Sequence, residues 1–227
     1  MGRNVLISGA SHGIGAATAI AFAKDGCNVG INYHNNRAGA EETAAECRKY
    51  GVDAQIYCAD IGCREQAVGM MRDFIEHFGT VDVLINNAGG ALKMPKGEFC
   101  DMPLDYWDSQ IALNLSGAAY LSHEAIKNMK EHNIPGRIVN ISSIHGSVTW
   151  VKRKALPYCA GKGGIPNLDF DFLPVGIDIR KVLKEGVCPA IHGGMFNRVG
   201  GLIGAGMARV PMQCFEKALV AFGEKYL

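Results

Sequence analysis

At 227 residues with 48% hydrophobic side chains, the chain is long enough for one well-buried domain spanning 1–227. A formal charge of +1 and a pI near 7.6, with basic residues scattered among acids, exclude the footprint of a nucleic-acid or anionic-membrane binder and leave a small molecule as the expected partner. Eight cysteines without a C-x-x-C pair predict free thiols in a reducing cytoplasm, seven histidines show no metal-ligand spacing, and the N-terminus carries no signal-peptide pattern. The most apolar stretch, Ile111 to Ile126, is interrupted by Asn114, His123 and Glu124, so no membrane span is expected.

In chain order, Asn4-Val5-Leu6-Ile7 reads as a short buried strand. Ser8-Gly9-Ala10-Ser11-His12-Gly13-Ile14-Gly15 follows as a turn, and an alanine-rich helix then runs to Lys24 and stops at Gly26. Strands are predicted near 4–8, 28–33, 53–58, 81–86 and 136–142, with helices near 14–25, 38–50, 63–78 and 103–131. The alternation argues an α/β fold, a doubly wound parallel sheet of Rossmann type with its ligand crevice at the carboxyl ends of the strands. Asp60, the run Asn86-Asn87-Ala88-Gly89 and the pair Ser142-Ser143 all fall at such ends.

The glycine turn has the residues a pyrophosphate site needs. Gly9 allows a tight turn, Gly13 lets backbone approach a phosphate, and Gly15 lets the helix pack close to the sheet, with Ser11, His12 and Ile14 between them. The spacing is G-x-x-x-G-x-G rather than G-x-G-x-x-G, and a plain tight turn is the alternative. Further on, Tyr158 and Lys162 stand four apart, so on a helix they share one face. A phenol exchanges protons poorly at neutral pH, and a neighbouring cation favours its phenolate, which makes such a pair a candidate general acid/base. An ordinary surface pair is the alternative.

Together, Ser8-Gly9-x-x-x-Gly13-x-Gly15, Asn86-Asn87-Ala88-Gly89, Asn114, Ser143 and Tyr158-x-x-x-Lys162 resemble the short-chain dehydrogenase/reductase family over residues 3 to 165. The nearest likeness is to its glucose dehydrogenase and 3-oxoacyl-carrier-protein reductase type. The resemblance implies hydride transfer between a nicotinamide cofactor and a secondary alcohol or ketone. Tyr158 would move the proton, Lys162 would aid it and hold the ribose, and Ser143 would hydrogen-bond the substrate oxygen. Ser142 is the neighbouring candidate; Ser143 is chosen because it precedes the Ile144-His145-Gly146 turn. Asn114 would hold a water of the proton relay, or else make a local backbone bond. Asn87, Ala88 and Gly89 would shape the adenosine side, and Asp60 and Ile61 would meet the adenine. Asp60 can equally be the N-cap of the following helix.

Cofactor choice is expected at the end of the second strand, where an acid would accept from a ribose 2′-OH. Ile31-Asn32-Tyr33-His34-Asn35-Asn36-Arg37 offers none. With Tyr33 at the strand end, Arg37 able to reach a 2′-phosphate and His12 placed where NADP-preferring relatives often carry a basic residue, the preferred cofactor is NADP(H), with NAD possible.

From Pro166 to 227 the pattern turns irregular. Pro166 and Pro174 interrupt an expected helix, Leu168-Asp169-Phe170-Asp171-Phe172 alternates like a strand, and glycine-rich stretches follow. Pro189, in Cys188-Pro189-Ala190-Ile191-His192-Gly193, stands where the family carries a Pro-Gly segment and a nicotinamide-binding threonine, both absent in that form. The last strand reads as missing, and a homo-oligomer as weakened. Trp150, Val151 and Leu156 are pocket candidates. A pseudoenzyme that binds a nucleotide and serves as an interaction module is the alternative reading.

Overall fold

The computed structural model describes residues 2–92, 98–147 and 155–171, with the side chains of 169–171 excepted. The elements run β1 (Asn4–Ile7), α1 (Gly13–Lys24), β2 (Asn28–Tyr33), α2 (Arg37–Arg48), β3 (Ala54–Cys58) and α3 (Arg64–Phe78). After these come β4 (Val83–Asn86), α4 (Leu104–Ile111), α5 (Gly117–Glu131), β5 (Arg137–Asn140) and α6 (Leu156–Asp171). A wide π turn, Ala112–Ser116, joins α4 to α5.

The five strands are parallel in the order β3-β2-β1-β4-β5. The chain lays down β2 and β3 on one side of β1, then crosses to β4 and β5 on the other. That reversal opens a crevice over the carboxyl ends of β1 and β4. Strands β1 and β4 are apolar without alternation because helices cover both faces. On one face Val5, Ile7, Val29, Ile31 and Ile85 pack with Ala19, Phe22 and Ala23 of α1 and Ala40 and Ala44 of α2. On the other, Leu6 and Leu84 pack with Met71 and Phe74 of α3 and Leu121 and Met129 of α5. Gly30 makes room there: a Cβ on it would lie 2.6 Å from the Phe74 ring. The six described cysteines are free, and burial pushes the Cys47 thiol up to about 11, as expected of a small packed hydrophobe. Among the described residues no helix is long and apolar enough to cross a membrane.

Three sequence expectations are corrected. The expected break at Pro166 and the strand-like reading from Leu168 do not hold, because α6 continues through Pro166 to Asp171. A helical proline withholds the N–H that would bond the carbonyl four residues earlier. Here that carbonyl, of Lys162, accepts instead from the Ser142 hydroxyl at 2.9 Å. Nor is Asp60 a helix cap. Helix α3 begins a turn later, with Cys63 as its N-cap, and the Asp60 carboxylate accepts from the Gly62 N–H at 2.9 Å. The missing last strand, Pro174 and Pro189 lie outside the described residues.

Asn32 ties the crevice floor together. Its buried Nδ2 donates to the carbonyls of Tyr33, Tyr57 and Ala59 at 3.2, 3.3 and 3.1 Å, and its Oδ1 accepts from the Gly9 N–H at 3.0 Å. Asn32→Ala removes these bonds, among them the buried one to the Ala59 carbonyl, and is expected to cost about 1–3 kcal/mol in chemical denaturation. An unchanged unfolding free energy would show that the clamp carries no stability.

Candidate active site at the carboxyl ends of the strands

The turn after β1 is shaped by close approach. Gly9 has φ +63°, and a Cβ on it would stand 2.8 Å from the Ala88 Cα. A Cβ on Gly15 would meet the Asn87 side-chain nitrogen at 2.6 Å. The turn after β4 is sewn to it. Ser8 Oγ accepts from the Asn87 and Ala88 N–H groups at 3.0 Å each, and Asn87 Nδ2 donates to the Ser8 and Gly9 carbonyls at 2.9 and 3.0 Å.

Gly13, at φ +60°, has open space where a side chain would be. His12 is the N-cap of α1 but makes no side-chain cap bond; Ser11 Oγ lies 3.0 Å from its Nδ1, and the first turn holds no acid. His12, Gly13 and Ile14 are exposed while Ser11 and Gly15 are buried. An uncapped helix start with a positive dipole end and a cleared approach fits the pyrophosphate of a dinucleotide.

On the adenosine side the predicted residues separate. Tyr33 belongs to the core cluster under α1 and α2, on the same face of β2 as Val29 and Ile31. His34 and Arg37 are exposed, and Arg37 pairs with Glu41 at 3.6 Å. His34 is the first residue beyond β2 and had no signal of its own in the sequence. Ile61 is buried against Gly117, where a Cβ would meet its Cδ1 at 2.6 Å, and Asp60 is half-buried beside it.

At the other end Asn114, in the π turn, clasps Gly90. Its Oδ1 accepts from the Gly90 N–H at 2.9 Å, and its Nδ2 donates to the carbonyls of Gly90 at 3.1 Å and Gln110 at 3.0 Å. The local backbone bond and the link to the β4 turn therefore coexist. Gly89 leaves the space between them, since a Cβ there would stand 2.7 Å from Lys162 Nζ and 2.9 Å from Asn114 Oδ1. Lys162 is buried, and its Nζ donates to the Ile141 carbonyl at 2.8 Å.

Ser143 Oγ accepts from the His145 N–H at 3.2 Å, and among the described residues its proton has no acceptor, whereas the Ser142 proton is committed to Lys162. Tyr158 is half-buried, with its ring edge-on to the His145 ring at 6.4 Å between centroids. His145 had no signal in the sequence beyond its place in a turn. Leu156 is partly exposed at the start of α6, while Trp150, Val151 and Pro189 lie outside the described residues.

A model of the short chain dehydrogenase family matches residues 3–187. This chain belongs to the short-chain dehydrogenase family. It is 35% identical over 166 residues to glucose 1-dehydrogenase 2 of Bacillus subtilis, covering 72% of this chain and 62% of that relative, which is less than two thirds of the relative's length. Among solved structures, NAD+-bound xylitol dehydrogenase has a TM-score of 0.67 at 30% identity, covering 77% of this chain and 66% of that one. A single-substitution variant of actinorhodin polyketide ketoreductase with NADPH also has a TM-score of 0.67 at 30% identity, covering 78% of this chain and 67% of that one.

Desolvation pushes the Lys162 ammonium down from 10.5 to about 8. Between about pH 8 and 10.5 the unfolded chain therefore holds this proton more firmly than the folded one. Lys162 contributes stability that rises with pH through that window, by up to about 1.4 kcal/mol per pH unit. The difference in unfolding free energy between wild type and Lys162→Met should move in favour of wild type across it. Parallel curves would mean that Lys162 is solvated.

Proposed function

We propose that this chain is an NADP(H)-preferring oxidoreductase that interconverts a secondary alcohol and a ketone, of sugar or 3-oxoacyl type. The observation that carries this reading is the buried Lys162 ammonium, one helical turn from Tyr158, bounded by Gly89 and Asn114 at the mouth of the glycine turn. The family and its NAD+- and NADPH-bound members support the reaction class.

When bound, the nicotinamide supplies or accepts hydride. The N-terminal turn of α1, with Gly9, Ser11, His12, Gly13, Ile14 and Gly15, would hold the pyrophosphate. Asn87, Ala88, Gly89, Asp60 and Ile61 would border the adenosine, and Lys162 the nicotinamide ribose. Ser143 orients the substrate oxygen with its hydroxyl proton. Tyr158 passes a proton to or from that oxygen. Asn114 fixes the β4 turn and places the water that refills the proton. The pseudoenzyme alternative rests on residues near Pro189, outside the described part of the chain.

Tyr158→Phe keeps the ring and removes the transferable proton. Its kcat on a ketone or sugar substrate is expected to fall by about 10²- to 10⁴-fold with little change in NADPH affinity. A variant that kept most of the wild-type rate would overturn Tyr158 as the acid/base.

Supporting the cofactor preference, His34 and Arg37 are exposed after β2 and residues 31–37 include no acid, while Tyr33 packs in the core. Fluorescence titration is expected to show tighter binding of NADPH than of NADH. His34→Asp, which sets a carboxylate where a 2′-phosphate would lie, should reverse the order. Equal affinities in the wild type would contradict the preference.

A further inference from the structure

We propose that Ser142 is a positioning residue for the Tyr158/Lys162 pair, supplying the hydrogen bond that Pro166 withholds from the Lys162 carbonyl. The proposal rests on the reading that this pair carries the chemistry. In an uninterrupted helix the N–H at 166 would bond the carbonyl at 162. Proline has none, and Lys162 is 4% exposed, so water has little access to replace it. The Ser142 hydroxyl does so from 20 residues upstream, at 2.9 Å.

The same residue is gripped a second time. Lys162 Nζ donates to the carbonyl of Ile141 at 2.8 Å, so consecutive residues at the end of β5 hold both the head and the backbone of one lysine. Gly146 completes the grip, since a Cβ on it would lie 2.6 Å from the Lys162 carbonyl oxygen and 3.1 Å from Ser142 Oγ. Ser143 follows Ser142 directly. The bond that fixes the register of α6, and with it Tyr158, therefore also fixes where the Ser143 hydroxyl stands.

A double-mutant cycle tests this. Ser142→Ala should lower Tm by about 5 °C, because it leaves a buried carbonyl unpaired. It should also lower kcat by about tenfold with a smaller change in KM, because the reacting groups shift rather than disappear. Ser142→Thr keeps the hydroxyl and should retain both values. Pro166→Ala restores an N–H four residues beyond Lys162, so in that background Ser142→Ala should lose most of its effect on Tm and kcat. The change in unfolded-chain entropy caused by removing the proline cancels in the cycle.

Equal effects of Ser142→Ala in the two backgrounds would overturn the proposal. Should wild type and Pro166→Ala turn over no alcohol or ketone, the reading of Tyr158 and Lys162 fails, while the Tm cycle still decides whether Ser142 and Pro166 are coupled.

Discussion

A cation buried at the end of a parallel sheet needs a partner for its lost hydration, and Lys162 finds the carbonyl of Ile141. Taking an ammonium ion out of water is costly unless charge or dipoles replace the lost hydration. That requirement brings the end of β5, the start of α6, the π turn and the β4 turn to one place. Gly89 is small because Lys162 Nζ and Asn114 Oδ1 occupy the space its side chain would need. Asn114 holds Gly90 by a pair of bonds on one side and the Gln110 carbonyl on the other.

A second set of polar clamps positions the other half of the crevice. Where parallel strands end, carbonyls and the N–H groups of the turns that follow lose their ladder partners. Asn32 serves the ends of β2 and β3 and the Gly9 N–H, while Ser8 and Asn87 join the turns after β1 and β4. The Asn32 amide, the Ser8 hydroxyl and the Asn87 Nδ2 are engaged in these bonds. The N-terminus of α1 is exposed and uncapped by a side chain, which is where an anion would be drawn.

Much of this was legible in the sequence. Strands covered on both faces read as unbroken apolar runs, and the glycine turn, the Asn86–Gly89 run and the Tyr158/Lys162 spacing are local in the chain. What was not legible depends on distant partners. Pro166 reads as a helix breaker because its cost is normally an unpaired carbonyl, and only the fold reveals that Ser142 reaches that carbonyl. Tyr33 reads as a cofactor contact because it ends β2; its ring packs under α1 and α2, and His34, the next residue, is exposed. Asp60 reads as a helix cap because it is an acid ahead of a helix, but α3 starts later and the carboxylate closes its own turn.

The most direct test is where a dinucleotide leaves its mark on the whole chain. Hydrogen exchange with and without NADPH should show slowing concentrated at the glycine turn 9–15, at 87–91 after β4, and at 141–147 and 156–162 around Lys162. Binding that left those segments unchanged while slowing exchange elsewhere would contradict a cofactor site at the carboxyl ends of these strands.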